Sequence, residues 1–229
     1  METILNIVRK IRAMYTHLVL PRERYLSLNT VKPASTKYGF DRGKPTDRFY
    51  IEKFMEEHSD FIKGRCLEIV DNTYTVRYGG NKVQISDALD IFKTPKANIH
   101  GDLRNLHNVE SNLYDCLIVT QTLNVVDRYE DAIKECYRIL KPGGVLLVTM
   151  PTLSPTWNLK INLWRFTPES SQYVFGKHFG EKNVEVKSYG NKLTSEFFWI
   201  GFAVEDLELD EFNSFDKNWP TIIGIVARK

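Results

Sequence analysis

Glu68 and Asp71 close a short apolar run, Cys66–Val70, inside the stretch Gly64-Arg-Cys-Leu-Glu-Ile-Val-Asp-Asn-Thr-Tyr-Thr-Val-Arg-Tyr-Gly79-Gly80. A strand that ends in carboxylates and runs into a polar turn, here Asp71, Asn72 and Thr73, stands where a nucleotide-type cofactor binds. The turn lacks the glycines such loops carry, since none lies between Gly64 and Gly79. A pyrophosphate would need close backbone N–H groups there, so a dinucleotide is disfavoured. Asp87 follows Glu68 by 19 residues, at the end of the next apolar run. A carboxylate in that place suits a ribose diol, because it offers two acceptors and no competing donor. Each of these acids also has a bland reading, as a strand-end residue bonding its own turn.

The elements that must position these side chains alternate along the chain. Strands are expected at Cys66–Val70, Lys82–Ser86, Asn98–His100, Tyr114–Thr120 and Val145–Thr149, with late strands at Val184–Tyr189 and Thr221–Ala227. The Val145–Thr149 run is continuously apolar, as in a sheet covered on both faces. Thr46 is expected to cap a helix in which Phe49, Tyr50, Phe54, His58 and Phe61 recur at helical spacing. Asp127–Leu140 reads as a helix with a capping-box-like Asp127/Glu130 pair, broken by Lys141-Pro-Gly-Gly144. Thr167 caps another, with Pro168 at its first position. Thr3 to about Leu20 is an amphipathic helix whose basic side could dock on a membrane surface or partner, although packing on its own domain is the commoner outcome. Residues 21–45 are irregular and turn-rich. The expectation is one α/β domain: a mostly parallel sheet over residues 46–229 behind an N-terminal helix and pocket-covering segment, residues 1–45.

Composition excludes several functions. Among 229 residues, 31 Lys/Arg are scattered among 29 Asp/Glu, for a net charge of +2, which predicts no nucleic-acid partner. No apolar run reaches the roughly 20 residues needed to span a bilayer. Cys66, Cys116 and Cys136 sit in apolar runs and read as buried free thiols of a reducing, cytoplasmic compartment. No His/Cys/Asp cluster has metal-ligand spacing, so metal-independent chemistry is expected.

The order of strand–Glu68, strand–Asp87, Gly101-Asp102-Leu103, Tyr114-Asp-Cys-Leu-Ile-Val-Thr-Gln and Arg138-Ile-Leu-Lys-Pro-Gly-Gly-Val-Leu-Leu-Val resembles the class I S-adenosylmethionine-dependent methyltransferases. The Tyr38-Gly-Phe-Asp-Arg-Gly-Lys-Pro-Thr-Asp-Arg-Phe-Tyr-Ile51 run, with Leu-Glu-Ile-Val-Asp-Asn-Thr-Tyr-Thr, looks like a branch with a degenerate glycine motif found in bacterial and large-virus glycan-synthesis genes. The resemblance implies a Rossmann-like seven-stranded sheet of order 3-2-1-4-5-7-6, the last strand antiparallel, and S-adenosylmethionine as cofactor. That ligand has no phosphate. Glu68 and Asp71 suit its ammonium, and Asn72 or Thr73 its carboxylate, with Arg42 as a bidentate grip on the latter. Asp87 would take the ribose, Asp102 the adenine amino group, and Leu103 the face of the ring. Thr120 and Gln121 would end the fourth strand beside the methyl group.

The same resemblance implies an O-methyltransferase for a sugar or glycan hydroxyl, such as that of a deoxyhexose, with possible glycosyltransferase association. Transfer to a hydroxyl calls for a nearby base, and Asp41 and Asp47 are the first candidates. Trp164 and Arg165, with Tyr38, would form a sugar platform, and Gln121 would touch substrate. Two other readings stay open: a catalytically silent partner-binding module that has lost its cofactor loop, and a methyltransferase for a small molecule.

Overall fold

The apolar run Tyr114–Thr120 becomes a central strand in the computed structural model, which describes residues 21–28, 30–156 and 161–229 together with Ile7, Ile11, Met14 and Tyr15. The strands are β1 (Gly64–Ile69), β2 (Val83–Asp90), β3 (Ile99–His100), β4 (Tyr114–Thr120), β5 (Leu140–Pro151), β6 (Val184–Tyr189) and β7 (Ile222–Arg228). They form one sheet of order β3-β2-β1-β4-β5-β7-β6. The four pairings from β3 to β5 are parallel. Gly143 N–H donates to the Lys229 carbonyl at 2.8 Å and Lys229 N–H to the Gly144 carbonyl at 3.0 Å, so β7 runs antiparallel to β5. The implied topology is the one observed. The helix expected over Thr3–Leu20 falls mostly outside the described residues.

The helices are α1 (Arg22–Ser27), α2 (Thr46–Glu57), α3 (Tyr129–Ile139), α4 (Pro168–Phe179), α5 (Lys192–Ile200) and α6 (Leu209–Asn213). α3 buries Ala132, Ile133, Cys136 and Ile139, a helical stripe against the sheet. With Val174 and Phe175 of α4 it covers the face that carries Leu67, Leu117, Val119, Leu146 and Val148. Thr167 does cap α4, exchanging bonds with Ser170 in a capping box.

Three local expectations are corrected. The helix expected from Asp127 starts at Tyr129 behind Arg128, with no side-chain cap. Asp127 instead accepts the Arg128 N–H and pairs with Arg104. Lys141–Gly144 is a bulge within β5 rather than a break before it, because Tyr114 pairs with Leu140 and Cys116 already with Val145. Thr46 is itself helical, and its hydroxyl donates to the Phe202 carbonyl at 3.0 Å.

Within this fold the chain groups into two compact units that interleave in sequence. One comprises Ile51–Thr152, Ile161–Ser188 and Ile223–Lys229, and holds β1 to β5 with α3 and α4. The other draws on the described residues of Met1–Tyr50, Leu153–Lys160 and Tyr189–Ile222. Its core is aromatic: Tyr25 meets Phe202 edge-on at 5.2 Å, Phe197 lies 4.8 Å from Phe202, and Phe49 and Tyr50 pack on Phe212. No described helix is long and apolar enough to cross a membrane.

Candidate functional site

The loop after β1 is built on Glu68. Its carboxylate is 2% exposed and accepts the backbone N–H groups of Thr75 (2.7 Å) and Tyr74 (3.1 Å). Those bonds anchor a π-helical turn, Thr75–Gly79, a form enriched at functional sites. Asp71 closes the turn by accepting Thr73 N–H at 3.1 Å, with Lys96 at 3.4 Å, and the Asn72 amide donates to the Ser86 hydroxyl at 3.1 Å. Side chains therefore shape this loop, which accounts for its lack of glycine.

One glycine conformation nonetheless survives. Val70, the first residue past β1, has φ 77° and donates its N–H to the Leu89 carbonyl at 2.7 Å. A β-branched residue in that region is strained by about 1–2 kcal/mol, against about 0.5–1 kcal/mol that glycine loses in chain entropy. Val70 is half exposed, so little burial is forfeited. Val70→Gly should raise stability by up to about 1 kcal/mol, read as a higher urea midpoint; a lower midpoint would mean that the valine packs usefully.

Burial pushes the Glu68 carboxyl up to about 7, against the opposing pull of the Thr75 and Tyr74 N–H groups. A folded-state value above the unfolded one favours the folded state most at low pH. This contribution is complete below about 4.5 and is lost as pH rises toward 7, a span of about 3 kcal/mol. Glu68→Gln should flatten the pH dependence of the unfolding free energy across that window. Identical profiles for the two proteins would refute the assignment.

Asp87 is not at a strand end. β2 continues through Ala88 and Leu89 to Asp90, so Asp87 lies level with Leu67 inside the sheet. Its buried carboxylate accepts from Arg65 Nε (2.9 Å), the Tyr114 hydroxyl (3.2 Å) and the Asn98 amide (2.7 Å). The acid at the carboxyl end of β2 is Asp90, 8% exposed. One of its oxygens accepts Phe92 N–H at 2.9 Å, while the other has only a long 3.4 Å bond from the Thr94 hydroxyl. Sequence reading passed over Asp90, although the apolar Ala88-Leu89 pair after Asp87 signals that the strand goes on. Asp102 lies past β3, its carboxylate forked by Arg104 Nε at 2.9 and 3.0 Å and held below the usual carboxylate range by that partner. Leu103 packs into the sheet's core.

At the carboxyl end of β4, Thr120 pairs with Thr149 of β5, and Gln121 N–H donates to the Thr149 carbonyl at 2.8 Å. Gln121 has φ 48°. Thus Val70 and Gln121, two non-glycine residues in the left-handed region, terminate the neighbouring strands β1 and β4. Such strain concentrates where chemistry is done. Trp164 is fixed nearby in the chain: its N–H and that of Leu163 donate to the Asn124 carbonyl, its indole donates to the Val126 carbonyl at 2.9 Å, and Tyr129 meets it edge-on at 5.2 Å. Arg165 donates to Asn162 Oδ1 and to the Trp164 carbonyl.

Tyr38, Asp41, Arg42 and Asp47 belong to the other unit. The Tyr38 hydroxyl donates to the Pro155 carbonyl at 3.4 Å, and Asp41 accepts the Ser35 hydroxyl. Arg42 is fully buried; its Nε and Nη2 donate to the two oxygens of Asp206 at 2.8 and 2.5 Å, and its guanidinium lies 4.8 Å over Phe202. The fork expected for a cofactor carboxylate is engaged by a protein carboxylate. Asp47 is buried in the first turn of α2, and burial raises its carboxyl above the ordinary range. Among the described residues there is no cluster of three or more His, Cys, Asp or Glu able to hold a metal.

Residues 76–148 match the protein family described as "Methyltransferase domain". Among curated proteins, the demethylmenaquinone methyltransferase of Staphylococcus epidermidis is 33% identical over 87 residues, 38% of this chain and 35% of the relative. The chain thus spans about a third of the length of that relative. Among solved structures, a SAM-dependent methyltransferase from Archaeoglobus fulgidus superposes with a TM-score of 0.56 at 14% identity, over 80% of this chain and 94% of that one. A SAM-dependent methyltransferase from Thermotoga maritima, described as a possible histamine N-methyltransferase, gives 0.53 at 20% identity over 80% and 91%. The fold is the one that these S-adenosylmethionine-dependent methyltransferases share.

Proposed function

We propose that this protein is an S-adenosylmethionine-dependent O-methyltransferase acting on a sugar or glycan hydroxyl. The observation that carries the methyltransferase reading is the carboxyl edge of β1 and β2, beside the β1/β4 boundary at which the order of the sheet reverses. There a loop clamped by buried Glu68 meets a strand end at Asp90 that keeps an acceptor oxygen in reserve. These groups fit the cofactor: Asp90 accepts from a ribose diol, Asp71, Asn72 and Thr73 face the amino-acid end, and Asp102 serves the adenine amino group. The cofactor supplies an electrophilic methyl group, and the chain's part is to align an acceptor oxygen with it and exclude water. Transfer to a hydroxyl also needs a base, for which Asp41 and Asp47 stay the candidates. Trp164, held in place and 38% exposed, favours a ring-shaped acceptor. The free, buried cysteines are in keeping with a reducing, cytoplasmic setting, and association with a glycosyltransferase would deliver such an acceptor.

A small-molecule acceptor is the second reading, favoured by the partial match to a quinone-modifying relative. Calorimetry with S-adenosylmethionine tests the shared premise. Binding is expected somewhere between about 1 µM and 1 mM. No heat at millimolar cofactor would leave only the silent, partner-binding reading. Transfer of labelled methyl to glycosides but not to quinols separates the first two.

A further inference from the structure

Four buried polar atoms without a hydrogen bond cluster, by chain connectivity, at the carboxyl ends of β4 and β5: Gln121 Nε2, Asn124 Oδ1, Thr149 Oγ1 and Asn162 Nδ2. The backbone stitches their residues together. Gln121 N–H bonds to the Thr149 carbonyl, and the Asn124 carbonyl accepts from Leu163 and Trp164, next to Asn162. Asn124 is 6% exposed and Thr149 fully buried. Native proteins satisfy nearly all such atoms, so several together mark a place that expects a partner.

The chemistry of the set is specific. Arg165 donates to Asn162 Oδ1 at 2.5 Å, which a nitrogen could not accept, so the free atom of that amide is the Nδ2 donor. Three amides and a hydroxyl offer donors and acceptors in mixture but no charge of their own. The cation nearest in sequence, Arg165, is occupied by Asn162 and by the Trp164 carbonyl. A hydroxyl group both donates and accepts, so a ring bearing several is the natural complement. Trp164, fixed through its indole N–H and Tyr129, supplies an aromatic surface beside these residues.

We infer that Gln121, Asn124, Thr149 and Asn162 form an acceptor subsite selective for an uncharged, multiply hydroxylated ring over an anionic sugar or an apolar aromatic. This rests on the proposed function for its role as an acceptor site, but not for its binding chemistry. Atoms so placed would orient the ring and set which hydroxyl faces the methyl group.

Saturation-transfer NMR on the full chain tests it, with methyl α-D-mannopyranoside, glucuronic acid and 1,4-dihydroxynaphthalene as probes, each with and without S-adenosylmethionine. Saturation of the mannoside protons is expected, with weaker transfer to the other two. Asn124→Leu keeps size but removes the Oδ1 acceptor, and Asn162→Ala removes the Nδ2 donor. Each should weaken the mannoside about tenfold while leaving calorimetric S-adenosylmethionine affinity unchanged. Preference for glucuronic acid or the naphthalene diol, or unchanged mannoside binding in both folded variants, overturns the inference. Mannoside binding without any cofactor binding would uphold the subsite and defeat the methyltransferase reading instead.

Discussion

Arg42→Ala should lower the unfolding free energy by about 3–5 kcal/mol, the usual cost of stranding one member of a buried ion pair. Both partners are effectively inaccessible, with side-chain exposures of 0% and 1%, and Asp206 would keep its charge or take up a proton at a price in stability. Asp206 also accepts the Ala203 N–H at 2.9 Å, so the pair pins the start of a 3-10 turn to the Tyr38–Gly43 segment. Removing both charges together, as Arg42→Met with Asp206→Leu, should cost less than the single change. Urea denaturation of the three proteins gives the answer. If Arg42→Ala instead leaves stability intact and abolishes S-adenosylmethionine binding, the arginine is a cofactor ligand after all.

Asp87 and Asp90 should behave in opposite ways, although they are three residues apart on one strand. Asp87→Ala deprives the Arg65 guanidinium, the Tyr114 hydroxyl and the Asn98 amide of their shared acceptor. Hydrogen bonds to a charged group contribute about 1.5–3 kcal/mol, and three that share one carboxylate are not additive, so a loss of about 2–4 kcal/mol is expected. Asp90→Ala removes only a turn bond and a long contact, and should cost about 1 kcal/mol in stability. Its larger effect is on the cofactor, where losing both ribose bonds should weaken S-adenosylmethionine about 100-fold. Calorimetry and denaturation on both variants form the test. Cofactor affinity lost in Asp87→Ala with stability kept, and untouched in Asp90→Ala, would restore the assignment made from spacing.

What the amino-acid sequence determined by itself is what local patterns encode. Apolar runs such as Cys116–Val119 and Val145–Val148 specify buried strands, and Thr167-Pro168 specifies where α4 begins. The alternation of such segments, with the resemblance carried by Arg138–Gly144, was enough for the strand order. Partner choice was beyond it. Arg42 and Asp206 are separated by 164 residues, and nothing near Arg42 distinguishes a fork meant for a ligand from one meant for a protein carboxylate. Asp87 draws its bonds from residues 11, 22 and 27 positions away, and only the register of β2 against β1 shows that it lies within the sheet while Asp90 ends the strand. Glu68 was legible as a carboxylate in the first strand ahead of a polar turn, but its bonds to the Thr75 and Tyr74 amides were not. A hydrogen bond depends on where two atoms meet in space, and the glycine-poor loop is a case in which tertiary contacts, rather than backbone freedom, impose the conformation.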